Sequence, residues 1–562
     1  MIAEVYPLIR LPRRFDFFDY AISDKSHIDT GDLVEMKFKG RLIFGIVKGT
    51  KTSSEFKKII PIENLIKKSF LSKDDIHRYE QISKTVIQST SSILSAAFQG
   101  LRYFDKTSVE YISGLKKINA NKTDVNSIKH TLESMKKSNN MNMSMSYEAS
   151  LILTQILREK RENQILIIAP RERDAEFSAR LIDLGKCAII HGKTKPKQRN
   201  AIIRAWQSGS LKTLVGTRQA ALLPAKKIDT IIILDAGSDD YLKLNRNPRV
   251  NTLYCANLLA NQHDAKLIHT SPFALLQKRS DLEEVRPRLG LTLRVVDLGG
   301  EEEKTGLPLI SETLKESIEK SLKQNKKSLL VYNKKGVAKR LQCRACDYIP
   351  VCGKCQGVPT VREKDLVCPI CKTEMWIPTN CPSCRLPKLT QKGIGNKRLK
   401  TILEKSFPGK RISIIDASTK KPEPADIYLV TEKFFKQYYK PFSKRAFGTI
   451  ADLMIDLGLQ GESFRSNYQT AYKLHRLCFF AAQQQAECIV QTWLPEIVRP
   501  MLNTNSFLAQ ELEIRKLYEL PPFFEHIMTI DKDEKITYKQ RPENLYNLDD
   551  RVIIEVDTDY LL

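Results

Sequence analysis

The sequence predicts a multidomain α/β fold: a small β-rich N-terminal domain, two α/β lobes, an insertion with two four-cysteine zinc sites in the second lobe, and a short α+β C-terminal domain. Three observations predict it. The 562 residues exceed what one hydrophobic core holds, because domains usually run to about 100–200 residues. Short apolar runs alternate with helical stretches through the middle of the chain, which is how parallel sheets are built. Eight of the twelve cysteines form four CxxC pairs between residues 343 and 384.

In chain order, residues 1–105 read as short strands, IAEVYPL, DLVEMKFKG and RLIFGIVKG. Residues 106–145 are expected to be a linker, in which Lys136–Ser146 (KKSNNMNMSMS) is polar, Met-rich and read as a loop. The first lobe, residues 146–285, carries the apolar strands QILIIAP from Gln164, TLVGTR from Thr213 and DTIIILD from Asp229. The second lobe takes residues 286–341 and 391–505, with SLLVYN from Ser328 before the insertion and RISIID from Arg411 after it. Residues 342–390 are the insertion, and residues 506–562 the C-terminal domain.

The insertion has the most specific pattern. Its pairs are Cys343/Cys346, Cys352/Cys355, Cys368/Cys371 and Cys381/Cys384, separated by five, twelve and nine residues. Two thiolates two residues apart close on one tetrahedral ion, and Gly353, Pro369 and Pro382 supply tight turns. Four pairs make two zinc sites, and spacing alone leaves open which pairs share an ion. A closed four-thiolate site has no position for water, so both metals should be structural. Cys187, Cys255, Cys478 and Cys488 lie in apolar settings and are expected to be core residues.

Composition restricts the function class. Ninety-one Lys and Arg face 65 acidic residues, a formal charge of +26, and the pI of 9.4 is the footprint of a polyphosphate binder, although charge also serves solubility. No run approaches the roughly 18 apolar residues of a membrane span, and Glu4 and Pro7 interrupt any secretory leader. A cytoplasmic protein without a membrane partner is expected.

A set of ordered motifs then resembles one family. They are RRFDFFDY (13–20), IIHGKTKPKQR (189–199), VGTRQAALLP (215–224), IIILD (231–235), LVYNKKGVAKRLQCRAC (330–346), LGLQGESFRSNYQTAYKL (457–474), IVQTW (489–493), RKLYELPPF (515–523) and VIIEVDTDYLL (552–562). Their order resembles the PriA family of replication-restart helicases. The resemblance implies RecA-like helicase lobes, binding of forked and single-stranded DNA, and partners among primosome, helicase-loading and single-strand-binding proteins. It implies nested cysteine pairs: Cys343, Cys346, Cys381 and Cys384 on one zinc, and Cys352, Cys355, Cys368 and Cys371 on the other. It also implies a pocket for a 3′ DNA end at Phe18, Asp19, Gly40 and Lys57, with Phe18 stacking on the terminal base, unless Phe18 is a core aromatic and Asp19 a turn residue. Lys193, Lys195, Lys197, Arg199 and Arg218 would line the strand-binding face of the first lobe.

The chain departs from that family at the nucleotide site. Where a glycine-rich loop should end in Gly-Lys-Thr it has Met145, Ser146 and Tyr147. The acidic motif for magnesium and the attacking water reads Asp235-Ala236-Gly237-Ser238, and the arginine motif reads HRLCFFAAQQQ, leaving Arg476. The Gly192-Lys193-Thr194 triplet falls in another segment and is expected to be a decoy. A winged-helix domain has no room between Gly100 and the degenerate loop, and the C-terminal domain is short. These departures predict a DNA-binding and loading protein with degenerate ATPase lobes, in which productive hydrolysis of ATP with magnesium is not expected while nucleotide binding stays open. An active 3′-to-5′ helicase with a rebuilt site and a zinc-bearing interaction module are the competing expectations.

Overall fold

The computed structural model of the chain describes residues 1–562 except 24–26, 57–58, 102–106, 112–139, 160–162, 182–186, 243–247, 277–282, 286–289, 300–308, 334–339, 347, 349, 351–352, 354–358, 363–364, 368–372, 393–394, 439–445, 460–463, 525, 531–535, 541–552 and 557–562. The chain divides into two compact units, Met1–Arg286 with Glu513–Leu562, and Pro287–Leu512.

The first unit begins with five strands, β1 (Ile2–Pro7), β2 (Phe18–Ala21), β3 (Leu33–Phe38), β4 (Arg41–Lys51) and β5 (Ile60–Lys67). They close into a barrel in the order β1-β2-β5-β3-β4. Alternation along the strands turns Ala3, Val5, Val34, Met36 and Val47 into a small apolar interior. The β3–β4 turn is the pair Lys39-Gly40, both at positive φ, a conformation that suits the twist of a hairpin and favours glycine. Two helices follow. Helix α1 (Lys73–Val86) starts in a reciprocal capping box between Ser72 and Asp75, and α2 (Thr90–Ala97) is capped by Ser89.

A seven-stranded parallel sheet comes next. Its elements in chain order are β6 (Asn140–Ser144), α3 (Tyr147–Glu159), β7 (Gln164–Ile168), α4 (Glu172–Leu181), β8 (Cys187–Ile190), α5 (Pro196–Ser208), β9 (Thr213–Gly216), β10 (Ile228–Leu234), α6 (Thr252–His263), β11 (Lys266–Ser271) and β12 (Glu283–Val285). The strand order is β12-β6-β11-β10-β7-β9-β8. Strand β6 corrects the expectation of a loop at residues 136–146. Met141 and Met143 face the apolar layer under α3, while Asn142 and Ser144 are also buried, on the other face. Asn and Ser hid a strand whose alternation of methionines was visible.

The barrel and this sheet share one apolar core. Tyr6, Leu33 and Ile46 of the barrel and Ile76, Tyr79, Ile82, Ile93 and Phe98 of α1 and α2 join it. Trp206 of α5, Leu259 of α6 and the sheet residues Leu166, Leu214, Ile231 and Leu267 complete it. Polar locks reinforce it: Arg78 Nε donates to Gln262 at 2.7 Å, Tyr79 OH to the Leu222 carbonyl at 2.5 Å, and Gln219 to the Ala97 carbonyl at 3.0 Å.

The second unit contains β13 (Leu293–Asp297), α7 (Glu312–Lys323), β14 (Lys327–Val331), β15 (Arg340–Cys343), β16 (Thr360–Arg362), β17 (Asp365–Val367), β18 (Glu374–Trp376), β19 (Leu389–Lys392), α8 (Asn396–Ser406), β20 (Ile412–Ile415), β21 (Ile427–Val430), β22 (Phe447–Asp452), α9 (Ser466–Gln484), β23 (Glu487–Thr492) and α10 (Pro495–Met501). Six strands form a parallel sheet, β13-β23-β22-β14-β21-β20. The cysteine insertion leaves this lobe as the ribbon β15–β19 and carries the small sheet β16-β17-β18. Helix α11 (Thr504–Leu517) leads to an antiparallel sheet of β24 (His526–Ile530), β25 (Ile536–Gln540) and β26 (Ile553–Val556), ordered β25-β24-β26. Among the described residues, no helix is long and apolar enough to cross a membrane.

Candidate functional site

The cysteine cluster forms where the β15–β19 ribbon brings distant pairs together. Cys343, Cys346, Cys381 and Cys384 place their four sulfurs within 4.8 Å of one another. Cys343 and Cys384 are 3.6 Å apart, and Cys346 and Cys381 are 3.5 Å apart. A tetrahedral zinc with bonds near 2.3 Å separates its sulfurs by about 3.8 Å, whereas a disulfide needs about 2.0 Å, so the arrangement fits a metal. The two knuckles repeat one turn: the Cys343 amide donates to the Tyr348 carbonyl and the Cys381 amide to the Leu386 carbonyl, each at 2.9 Å. Cys346 is pulled down to about 6, first by a backbone hydrogen bond at Tyr348 and then by the neighbouring thiols, while Cys384, against a backbone hydrogen bond at Leu386, is pushed up to about 12 by burial and the same thiols, so the cluster titrates as a unit. Cys352, Cys355, Cys368 and Cys371 lie outside the described residues. Cys187, Cys255, Cys478 and Cys488 are buried, as expected of core residues.

On the barrel, Phe18 is half-buried and packs against the interior, in edge contact with Phe38 at 5.2 Å. Asp19 is held by the Lys51 ammonium at 2.8 Å and by the Ser54 hydroxyl. Burial pushes its carboxyl up, but these partners outweigh it and leave the group below the usual range. Gly40 is accounted for by the hairpin turn, with open space around it, and Lys57 lies outside the described residues. The aromatics that reach solvent are Phe15, 49% exposed, Phe17, 36%, and Phe56, 67%. Lys48 Nζ lies 3.7 Å from the Phe17 ring centroid, and the Arg14 guanidinium 5.9 Å from that of Phe15. The reading of 13–20 missed them because the segment contains Phe-Asp-aromatic twice, as Phe15-Asp16-Phe17 and Phe18-Asp19-Tyr20. The strand absorbs the second copy, and Asp16 of the first caps α2 through the Thr90 amide at 2.5 Å and hydroxyl at 2.9 Å.

The first lobe's basic row is only partly at the surface. Lys195 and Lys197 are exposed, and Lys193 pairs with Glu172 at 2.8 Å. Arg199 departs from the expectation: it is buried and donates to the carbonyls of Gln99, His191 and Gly192. Arg218, half-buried in a 3-10 turn, donates to the Pro248 carbonyl at 3.4 Å. The Gly192-Lys193-Thr194 triplet is a turn into α5, in which Thr194 Oγ1 accepts the His191 amide at 3.0 Å.

At the expected nucleotide position the chain passes from β6 to α3 in two residues, Met145 and Ser146. The Met145 side chain joins the core under α3, and its amide donates to the Ser271 carbonyl at 2.8 Å. Tyr147 turns its hydroxyl onto α4, bonding Ser178 Oγ at 2.6 Å and the Asp174 carbonyl at 3.1 Å. A phosphate cradle needs several free amides in a glycine-rich loop, which this connection does not provide. Asp235 has a positive φ and forms an ion pair with Arg171 at 3.6 Å. In the second unit the arginine-motif segment is part of the continuous helix α9, with Cys478 and Ala481 buried. Arg476 grips Glu432 with two bonds of 2.6 and 2.8 Å and lies over the Phe435 ring at 4.3 Å.

Two family models match the chain, the PriA 3′DNA-binding domain over residues 8–99 and the helicase conserved C-terminal domain over residues 148–250. The first covers barrel strands β2–β5 with α1 and α2, and the second lies within the seven-stranded sheet. Similar curated proteins are named replication restart protein PriA. That of Thermotoga maritima is 26% identical over 60% of this chain, and the match spans 48% of the relative's own length. That of Rickettsia prowazekii is 26% identical over 90% of this chain and 83% of the relative. That of Rickettsia conorii is 23% identical over 93% of this chain and 84% of the relative. Among solved structures, RecG bound to a three-way DNA junction aligns with 79% of this chain and 53% of its own at 12% identity. Its TM-score is 0.36, too low for the likeness to carry weight.

Proposed function

The chain is a homologue of the replication restart protein PriA, and from that kinship we propose that it is a replication-restart factor that binds forked or single-stranded DNA by a 3′ end and helps load the replicative helicase, without hydrolysing ATP. The observation that carries the reading is the barrel that matches the 3′DNA-binding model and presents exposed aromatics next to cations. Such a surface suits unpaired DNA, because bases stack on the rings while ammonium and guanidinium groups meet the phosphates. Phe15 and Phe17 with Lys48 are the stacking and charge groups of this reading. Phe18 shapes the floor beneath them, and Asp19, Gly40 and Lys57 stay as candidates for the end pocket. Lys195, Lys197 and Arg218 extend the phosphate contacts on the first lobe.

The insertion acts as a rigid platform for protein partners of the primosome. Cys343, Cys346, Cys381 and Cys384 would hold one zinc, and Cys352, Cys355, Cys368 and Cys371 a second, each contributing folding stability and no chemistry. In this reading the lobes persist as framework, since Met145, Ser146 and Tyr147 stand where the loop's Gly-Lys-Thr belongs and Ala236 follows Asp235 where the catalytic carboxylate belongs.

The deciding experiment compares forks ending in a 3′-hydroxyl and a 3′-phosphate, with ATP turnover measured in parallel. Salt-sensitive binding that prefers the hydroxyl, with no turnover, is expected. Removing either exposed ring, Phe15→Ala or Phe17→Ala, should weaken binding roughly tenfold, as stacking contributes about 1–3 kcal/mol per base. Equal binding to both ends, or DNA-stimulated turnover that is lost in Asp235→Asn, would refute the reading.

A further inference from the structure

We infer that the first lobe carries its own cation where a nucleotide-binding lobe takes a metal: the Arg171 guanidinium, held among Asp174, Asp235 and Asp240, makes this lobe's fold independent of magnesium and nucleotide. The inference deepens the proposal that the chain works without ATP hydrolysis. It concerns one edge of one sheet and can fail while that proposal stands.

Ligands of open parallel sheets bind beyond the carboxyl ends of the strands. In this lobe that edge is filled by the chain itself. Arg171 follows β7 and precedes α4, and its Nε lies 2.7 Å from Asp174 and 3.5 Å from Asp240, while its terminal nitrogen lies 3.6 Å from Asp235. The first contact is local, one turn along α4, and alone would be a helix-end ion pair. The other two reach residues beyond the end of β10, where the surviving member of the acidic motif stands. All four side chains are largely buried, from 3% exposed at Asp174 to 17% at Arg171.

Neighbouring groups close the edge. Tyr241, fully buried, donates to the carbonyls of Ile168 and Leu234, the last residues of β7 and β10, at 3.0 and 2.6 Å. Tyr147 reaches across from α3 to the carbonyl of the same Asp174 that Arg171 holds. Asp235 keeps its left-handed backbone while the next amide, Ala236, donates to the Thr270 carbonyl at 2.8 Å. Three carboxylates converging on one buried point repel one another unless a cation sits among them. The forked guanidinium meets several at once and stays charged at any physiological pH.

The second unit shows the same exchange with the sign reversed. Glu432 supplies a bidentate carboxylate to Arg476, the arginine left in the segment that would face a phosphate. Burial would raise the Glu432 carboxyl, and Arg476 more than offsets it and keeps the carboxyl below its usual range. Each lobe thus holds an internal ion pair at the segment where the family's motifs would meet a ligand group of the same charge.

The test is thermal unfolding of the full-length, zinc-loaded protein in a titration of Mg2+, with and without ATP. Wild type is expected to show no shift with either. Arg171→Gln should melt lower, by roughly 5 °C, and added Mg2+ should restore at least half of the loss, because Asp174, Asp235 and Asp240, no longer facing the guanidinium, then take the metal. Arg171→Lys should stay insensitive to Mg2+. Should Arg171→Gln not fold, Arg171→Gln with Asp240→Asn removes one charge of each sign and should fold again. A wild-type midpoint that rises with Mg2+ or Mg2+-ATP overturns the inference. So does an Arg171→Gln loss that Mg2+ leaves unchanged, or a double variant that fails to recover. Turnover of ATP by wild type would instead refute the proposed function.

Discussion

Single residues set several of the strict requirements of this chain. Gly31 has a positive φ, and a Cβ there would lie 2.0 Å from the Leu71 carbonyl oxygen, a backbone atom that cannot step aside. Gly31→Ala should therefore cost several kcal/mol, about 3 or more, seen as a lower urea midpoint, because strain and overlap act together. Asp452 at the end of β22 is the opposite kind of group, a carboxyl that burial and then the Asp456 charge push up to about 7, against a backbone hydrogen bond from Met454. Its stabilising neutral form is fully present below the unfolded value near 3.8 and is lost as pH rises through about 7. Asp452→Asn should stabilise the protein above neutrality, on the order of 2–4 kcal/mol, and leave acid stability nearly unchanged. A denaturation series across pH would show the two curves converging below about pH 4.

At the scale of elements, the cysteine ribbon β15–β19 is the piece with the least packing to hold it. Its apolar cluster is small, with Leu341, Val361 and Leu366 at the centre, so on the proposed reading a metal held by the four thiolates supplies what a core supplies elsewhere. Cys381→Ser, or chelation, should collapse β15 and β19, broaden their amide resonances and leave the β22 resonances in place. This element was legible in the sequence because thiol spacing is a local constraint: CxxC dictates a knuckle whatever surrounds it. The parallel sheets were legible for a related reason, since strands covered on both faces must be continuously apolar, as IIIL in β10 is. Strand β6 was not legible, because its burial of Asn142 and Ser144 depends on neighbours far along the chain. The exposed rings were not legible either: a doubled Phe-Asp motif does not reveal which copy the strand takes inward. That Arg476 is committed to Glu432 was not legible either, because its partner lies 44 residues away on the far side of β22.

At the scale of the whole molecule, buried groups in the two units should respond to acid in opposite directions. His269 on β11 is fully buried, and burial lowers its pKa to about 4. His263 at the end of α6 is lowered to about 4 as well, mainly by burial. For both, stability is fully present above the unfolded value near 6.5 and is lost as pH falls toward about 4. Asp452 in the other unit gains over the same interval. Moving from about pH 7 to about pH 5 should weaken the fold around His269 and strengthen it around Asp452, each by roughly 2 kcal/mol. Hydrogen exchange of β11 and β22 amides, normalised for intrinsic rates, should move in opposite senses, and His269→Leu should flatten the response of β11.

The core shared by the barrel, α1, α2 and the seven-stranded sheet also governs how the chain can be made. The ribosome releases Tyr6, Leu33, Ile46 and Phe98 long before the sheet residues that cover them, of which Leu267 is the last in sequence. At about 5–20 residues per second, that interval is roughly 10–30 s, during which an apolar face of the nascent barrel stands open to water. The protein should therefore lean on chaperones during synthesis. Slow codons placed between the stretches encoding α2 and β11 should lower its soluble yield, while the same codons placed after β12 should not.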